Sequence, residues 1–260
     1  MDERAKRKLA NAFALYMEGI RDGNAREAVE KYTGDRYTQH STGVADGVEG
    51  FVAFFEPFIE RNPIRDIRIV RSIVDGQYVF VHAYQDLNNG EARWVTTDFF
   101  DTDQNDKIIE HWDVIAPYVD EMPSGRTSTD GPTEITDEHL TEQNKAIVRA
   151  MVTDLLMPGG DVTKVDDYIA PEYLQHNAQV PDGLEAFCPL LNDPDRPLWY
   201  HEIVLLVGQG NFVATLCRAT WEDAEYAQVD IFRVENGRIV EHWDNVEPVP
   251  QGPQPNSGKF

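Results

Sequence analysis

The stretch Ile108-Ile109-Glu110-His111-Trp112-Asp113 returns 131 residues later as Ile239-Val240-Glu241-His242-Trp243-Asp244. Working outward, Asp98-Phe99-Phe100 returns as Asp230-Ile231-Phe232 at a spacing of 132. Tyr37-Thr38-Gln39-His40 returns as Tyr173-Leu174-Gln175-His176, and Val44-Ala45-Asp46-Gly47 as Val180-Pro181-Asp182-Gly183, both at 136. The landmarks keep their order while the spacing shrinks, so one module is written twice with small changes in loop length. The repeat is far longer than the roughly 20–50 residues of a solenoid unit and describes duplicated domains.

Each copy opens with helical periodicity. In the first, Leu9, Phe13, Tyr16, Met17 and Ile20 share a face up to Gly23-Asn24, and a short helix follows over 25–32. A third helix, 48–62, carries Phe51, Phe54, Phe55, Phe58 and Ile59 and stops at Pro63. The period then changes to two. Strands are predicted at 66–74, 78–86, 91–101 and 107–115, separated by Asp75-Gly76, Asn88-Asn89-Gly90 and Asp103-Gln104-Asn105-Asp106. The second copy repeats the order, with helices near 137–156, 162–168 and 184–191 and strands near 199–207, 211–222, 225–235 and 237–246. Helices followed by a run of antiparallel strands make an α+β fold, in which a curved sheet capped by helices forms a cone with a blind interior. The expected organisation is a first domain over 1–121, a Ser/Thr/Gly/Pro-rich linker over 122–137, a second domain over 138–247 and a Pro/Gly-rich tail over 248–260.

Composition narrows the function classes. The 260 residues carry 46 acidic and 23 basic side chains, a net charge of −23. Phosphate polymers and anionic membranes require a basic face, so nucleic acid and membrane are excluded as partners. The acidity suits either an ordinary soluble protein or a high-salt habitat. Cys188 and Cys217 both lie in the second copy, so they read as free thiols in a reducing, cytoplasmic setting. No run reaches the roughly 18–20 apolar residues of a membrane span.

Strand parity sorts the repeated residues. His111 and Asp113 point one way, and Trp94, Thr96, Asp98 and Phe100 share a face of the neighbouring strand. If that face looks into the cone, Asp98, His111 and Asp113 meet in one pocket, and Asp230, His242 and Asp244 do so in the other. Desolvation in such a pocket raises a carboxyl pKa towards the range of a general base, and two facing carboxyls divide the roles of acid and base. The plainer reading makes Trp112 and Trp243 core residues with the polar groups on an outer face. Tyr37, His40, Tyr173 and His176, at the join of helix and loop, serve as ligand-binding residues or as caps, and Trp94 as a pocket wall. No metal spacing, nucleophile elbow, phosphate loop or dinucleotide fingerprint occurs, so the expectation is chemistry without metal or cofactor.

These residues resemble a known group. Tyr-x-Gln-His, then Asp-Gly-x-Glu-x-Phe over 46–51 and 182–187, then the Asp-Phe/Ile-Phe and Glu-His-Trp-Asp strands, are similar to the SnoaL-like polyketide cyclase family. That family belongs to the nuclear-transport-factor-like superfamily of cone-shaped, cystatin-like α+β barrels. The resemblance implies a cofactor-independent, aldol-type ring closure on a small carbonyl-containing metabolite. Asp113 and Asp244 would be the acid/base residues, with Asp98 and Asp230 in a partner position where polyketide cyclases often carry histidine. That departure favours a generic acid/base pocket, as in isomerisation or dehydration, over a dedicated antibiotic-pathway cyclase. A non-enzymatic binder of a small apolar metabolite and an interaction protein with collapsed cones are the alternatives. The resemblance further implies that the two copies pair within one chain as a pseudo-dimer, burying Val95, Phe99 and Trp112, with homodimerisation left open.

Overall fold

A computed structural model describes residues 1–260 as two compact units, one of residues 1–117 and 250–260, the other of residues 118–249. Residues 118–137 thus belong to the unit built on the second repeat, and the tail from Pro250 belongs to the unit built on the first.

In the first unit, helix α1 (Glu3–Ala14) starts at Asp2, whose carboxylate accepts from the Ala5 amide at 2.8 Å. It continues as a π-helical stretch, Leu15–Arg21, that places Leu15, Tyr16 and Ile20 inward. Helix α2 (Ala25–Tyr32) leads into strand β1 (Thr33–Gln39), and helix α3 (Gly47–Arg61) follows. Strands β2 (Arg65–Asp75), β3 (Tyr78–Leu87), β4 (Ala92–Thr102) and β5 (Ile108–Pro117) complete a five-stranded sheet of order β1-β5-β4-β3-β2.

The second unit repeats this plan. Helix α4 (Thr141–Met151) runs into a π-helical stretch, Val152–Leu156, and α5 (Val165–Tyr168), β6 (Ile169–His176) and α6 (Leu184–Asn192) follow. Strands β7 (Leu198–Gln209), β8 (Phe212–Trp221), β9 (Ala224–Glu235) and β10 (Arg238–Pro248) give the order β6-β10-β9-β8-β7. The β9–β10 turn has positive φ at both Asn236 (50°) and Gly237 (76°), the backbone that a tight two-residue hairpin demands.

The chain therefore folds as two tandem α+β domains, as the alternating patterns predict. One correction concerns the sheets, which are mixed: β1 and β6 pair parallel to β5 and β10. These strands escape the period-two reading because Thr33–Gln39 is mostly polar and exposes two consecutive residues, Asp35 and Arg36, which breaks the alternation. Their anchor is the repeated aspartate of the Asp-Gly turn: Asp46 accepts from the Gln39 amide at 2.6 Å and Asp182 from the Gln175 amide at 2.8 Å. Each core joins the first helix of the copy to the inner sheet face, with Leu15, Ile20, Val29, Phe51, Val79 and Phe100 in one unit. Val148, Leu155, Ile169, Val213 and Phe232 play that part in the other.

Candidate functional site

Each unit holds a cavity between its helices and its sheet. In the first, a space of about 240 Å³ is walled by Phe51, Phe54, Phe55, Phe58 and Trp94, and polar groups gather where β4 and β5 pass side by side. Asp98 and Asp113 are directly opposed in the β4–β5 register, so their side chains emerge on one face. His111, two residues before Asp113, shares that face. Its Nε2 lies 2.9 Å from Asp98 Oδ1 and its Nδ1 2.9 Å from Gln39 Oε1. The imidazole thus bridges the Gln39 amide and the Asp98 carboxyl.

Burial raises the pKa of Asp98, against the lowering effect of His111. Asp98 Oδ2 and the Tyr37 hydroxyl are both buried without a hydrogen-bond partner. The Tyr16 phenol, from the π-helical stretch, bonds Thr96 Oγ1 at 2.9 Å, and burial above all keeps it protonated. Asp113 is the opposite case. Burial works to raise its pKa, but the charges of Lys259 and His111 and the Ser41 hydroxyl outweigh it and hold the group below the usual carboxylate range. Ser41 Oγ donates at 2.6 Å and Lys259 Nζ at 3.3 Å.

In the second unit a cavity of about 190 Å³ is lined by Met151, Leu156, Phe187, Leu191, Leu198 and Phe232, with Asp230, His242 and Asp244 on its polar side. His242 repeats the relay, with Nδ1 2.8 Å from Gln175 Oε1 and Nε2 2.9 Å from Asp230 Oδ1. Asp230 has a full set of donors: the Tyr200 hydroxyl at 3.0 Å, Gln228 Nε2 at 3.1 Å and Thr215 Oγ1 at 3.5 Å. Asp244 accepts from Asn177 Nδ2 at 2.5 Å and has Gln228 nearby, with no lysine among the groups that set its charge. Desolvation, reinforced by Asp230 and opposed by His242, pushes its carboxyl up to about 6.

The ligand atoms of Asp98, His111 and Asp113 lie within 4.8 Å of one another, close enough to share an ion. The Lys259 ammonium already neutralises Asp113, however, and a divalent cation there would meet that charge.

The SnoaL-like domain family model matches residues 13–111 and again 148–242. The chain belongs to the SnoaL-like family. Its two matched segments carry most of the two cavities and end just before Asp113 and Asp244. No curated protein matches this SnoaL-like chain. Among solved structures, a candidate SnoaL-like polyketide cyclase from Jannaschia sp. CCS1 is 17% identical, with a TM-score of 0.39, over 44% of this chain and 89% of its own. A candidate ketosteroid isomerase from Kribbella flavida is 15% identical, with a TM-score of 0.36, over 44% and 84%. An epoxide hydrolase of the LEH-like type from M. tuberculosis is 18% identical, with a TM-score of 0.36, over 41% and 84%. No helix of the SnoaL-like chain is long and apolar enough to cross a membrane.

Strand parity brings Tyr37, Trp94, Asp98, His111 and Asp113 to the first cavity, and Tyr173, Asp230, His242 and Asp244 to the second. The expectation that His40 and His176 line the pockets is corrected. Each follows the inward-facing Gln39 or Gln175 by one residue and so turns to the other face of the sheet. There His40 stacks on Trp112 with ring centroids 4.8 Å apart and lies 3.0 Å from Glu110, while His176 stacks on Trp243 at 4.5 Å and lies 2.9 Å from Glu241. Gln39 and Gln175 were visible in the repeated motif but carried no assigned role. Tyr16, Ser41, Lys259, Asn177 and Tyr200 differ between the copies, so the repeat gives no sign of them. The two phenols beside Asp98 and Asp230 even come from different elements, Tyr16 from the π-helical stretch and Tyr200 from β7.

Proposed function

We propose that this SnoaL-like chain is a cofactor-independent acid/base enzyme that removes and returns a proton next to the carbonyl of a small, mostly apolar metabolite. Aldol cyclisation, isomerisation and dehydration all share that step. The observation that carries this reading is Asp244, a carboxyl raised to about 6 at the wall of an apolar cavity. At neutral pH such a group is largely ionised, yet a stronger base than an ordinary aspartate. It takes the proton as the C–H bond breaks, the bonding pair forms the enolate, and the carbonyl oxygen gains the charge. The Tyr173 phenol, which burial and then the charges of Asp230 and Asp244 keep protonated, offers an O–H donor on the same wall. Asp230, held by Tyr200, Gln228, Thr215 and His242, keeps the polar side rigid.

The first pocket presents the same parts with the raised carboxyl on the other strand. Asp113 is the charged carboxylate, and a carbonyl oxygen placed between Asp98 and Tyr37 would meet two buried oxygens, Asp98 Oδ2 and the Tyr37 hydroxyl, that have no hydrogen-bond partner. A pure binding role for this pocket is the second reading, favoured by the pairing of Asp113 with Lys259, which occupies one oxygen of the would-be base.

The test is hydrogen–deuterium exchange at carbon. A panel of cyclic β-diketones and β-hydroxyketones in D₂O, followed by proton NMR, is expected to lose its α-proton signals faster with the wild-type chain than with Asp244→Asn. Ligand-induced shifts with no exchange above the Asp244→Asn level would replace the enzyme reading with the binding one.

A further inference from the structure

The two units complete themselves with segments that follow the other repeat in sequence. In the first unit, His40 Nδ1 donates to the Gly258 carbonyl at 2.6 Å, Asn256 Nδ2 to the carbonyls of Ser41 (2.6 Å) and Val44 (2.7 Å), and Ser257 Oγ to Asp46 at 3.2 Å. In the second, His176 Nδ1 donates to the Thr127 carbonyl at 2.9 Å, Ser124 Oγ to the Gln175 carbonyl at 2.7 Å, and Arg126 pairs with Asp182. Gly258 and Thr127 stand 131 residues apart, the spacing of the Trp-Asp strands. The two segments are therefore equivalent parts of the repeat, seated in equivalent places.

Their next residues are not equivalent. Position 259 is lysine, and its counterpart at 128 is serine. The Lys259 side chain is 3% exposed, and its Nζ lies 3.3 Å from both Asp113 Oδ1 and Thr42 Oγ1. Ser128 bonds only backbone, with its hydroxyl accepting from the Val119 amide at 3.1 Å. Asp244 therefore has no cation from this segment.

We propose that Lys259 is a positioning residue of the first pocket: carried on residues 250–260, it holds the Asp113 carboxylate charged, so that Asp98 becomes the proton-holding carboxyl there. The consequence for catalysis rests on the acid/base reading above, but the charge assignment does not. The other groups facing Asp113 are His111 on β5, Asp98 on β4, Tyr37 on β1, Ser41 after it and Tyr16 in the π-helical stretch. Only Lys259 is a permanent cation among them, and only Lys259 arrives from the exchanged segment. The same module, duplicated, thus holds Asp113 beside a buried cation that its counterpart Asp244 lacks, through one residue of a segment outside the matched domain.

The experiment needs no substrate, so it stands or falls apart from the catalytic reading. The full chain labelled with ¹³C at the aspartate carboxyls is titrated by NMR as wild type, Lys259→Met and Lys259→Arg, with resonances assigned through Asp113→Asn and Asp244→Asn. Lys259→Met is expected to move the Asp113 midpoint upward, towards the value of about 6 held by the lysine-free Asp244, while Lys259→Arg keeps it low and Asp244 stays in place in both. If Lys259→Met fails to fold, Lys259→Gln, which can donate hydrogen bonds but has no charge, takes its place. An Asp113 midpoint that is the same in the neutral and the arginine variants overturns the proposal.

Discussion

Two pockets built from one motif differ in which aspartate burial pushes up in pKa, Asp98 on β4 in the first and Asp244 on β10 in the second. In the first, Asp98 is raised and left with a bare oxygen, while Asp113 is held down by a lysine. In the second, Asp230 is ringed by donors and Asp244 is pushed up to about 6. The strands, the histidine relay and the glutamine behind it are the same, so the difference lies in neighbours contributed by other elements. A backbone scaffold places carboxyls, and whatever packs beside them sets their charge.

The sharpest test of that difference is activity. Asp244→Asn is expected to lower kcat/KM for α-proton exchange by about 10²–10⁴-fold, the range of a lost general base. A chain that keeps full activity would assign the chemistry to the first pocket.

Stability should separate the pockets by sign. Asp113→Asn leaves Lys259 buried and charged without its partner, a change that costs about 3–5 kcal/mol. Because Asp113 is depressed on folding, its contribution is present above the unfolded carboxyl pKa and is lost as pH falls through the folded one. Asp244→Asn should do the reverse. A carboxyl raised on folding contributes stability below its unfolded pKa that disappears as pH rises through about 6. Replacing it therefore stabilises the chain at neutral pH, by about 3 kcal/mol for a shift from 3.8 to about 6. Denaturant unfolding of both variants at pH 4 and pH 7.5 checks this, and equal signs at pH 7.5 would break the comparison.

The pH profile follows from the same value. If Asp244 is the base, kcat/KM falls about tenfold per pH unit below about 6 and levels off above it. A profile flat through pH 6 would place the working base elsewhere.

The smallest effect concerns the phenols. Tyr200→Phe removes a hydrogen bond to a carboxylate and should cost about 1.5–3 kcal/mol, whereas Tyr16→Phe removes one to a threonine hydroxyl and should cost about 0.5–1.5 kcal/mol. Equal costs in denaturant melts would mean that Tyr16 also supports Asp98.

Much of this was legible in the chain. A side-chain period of two is enough to put Asp98, His111 and Asp113 on one face, and the register that opposes Asp98 to Asp113 confirms their meeting. Parity also decides the fate of His40 and His176, since a residue adjacent to an inward glutamine must face outward. The polar first strands were not legible, because their pairing is set by the parallel partner and by Asp46 and Asp182, whatever their own hydrophobicity.

The sequence by itself determined the duplication, the α+β fold and the shared strand face of the repeated Asp and His residues, because helix and strand periodicities are local properties of the chain. Only the tertiary structure decided the state of those residues. Lys259 is 146 positions from Asp113, and Tyr200 is 30 from Asp230. A carboxyl's charge depends on what lies within a few ångströms in space, and the order of residues along the chain does not contain that distance.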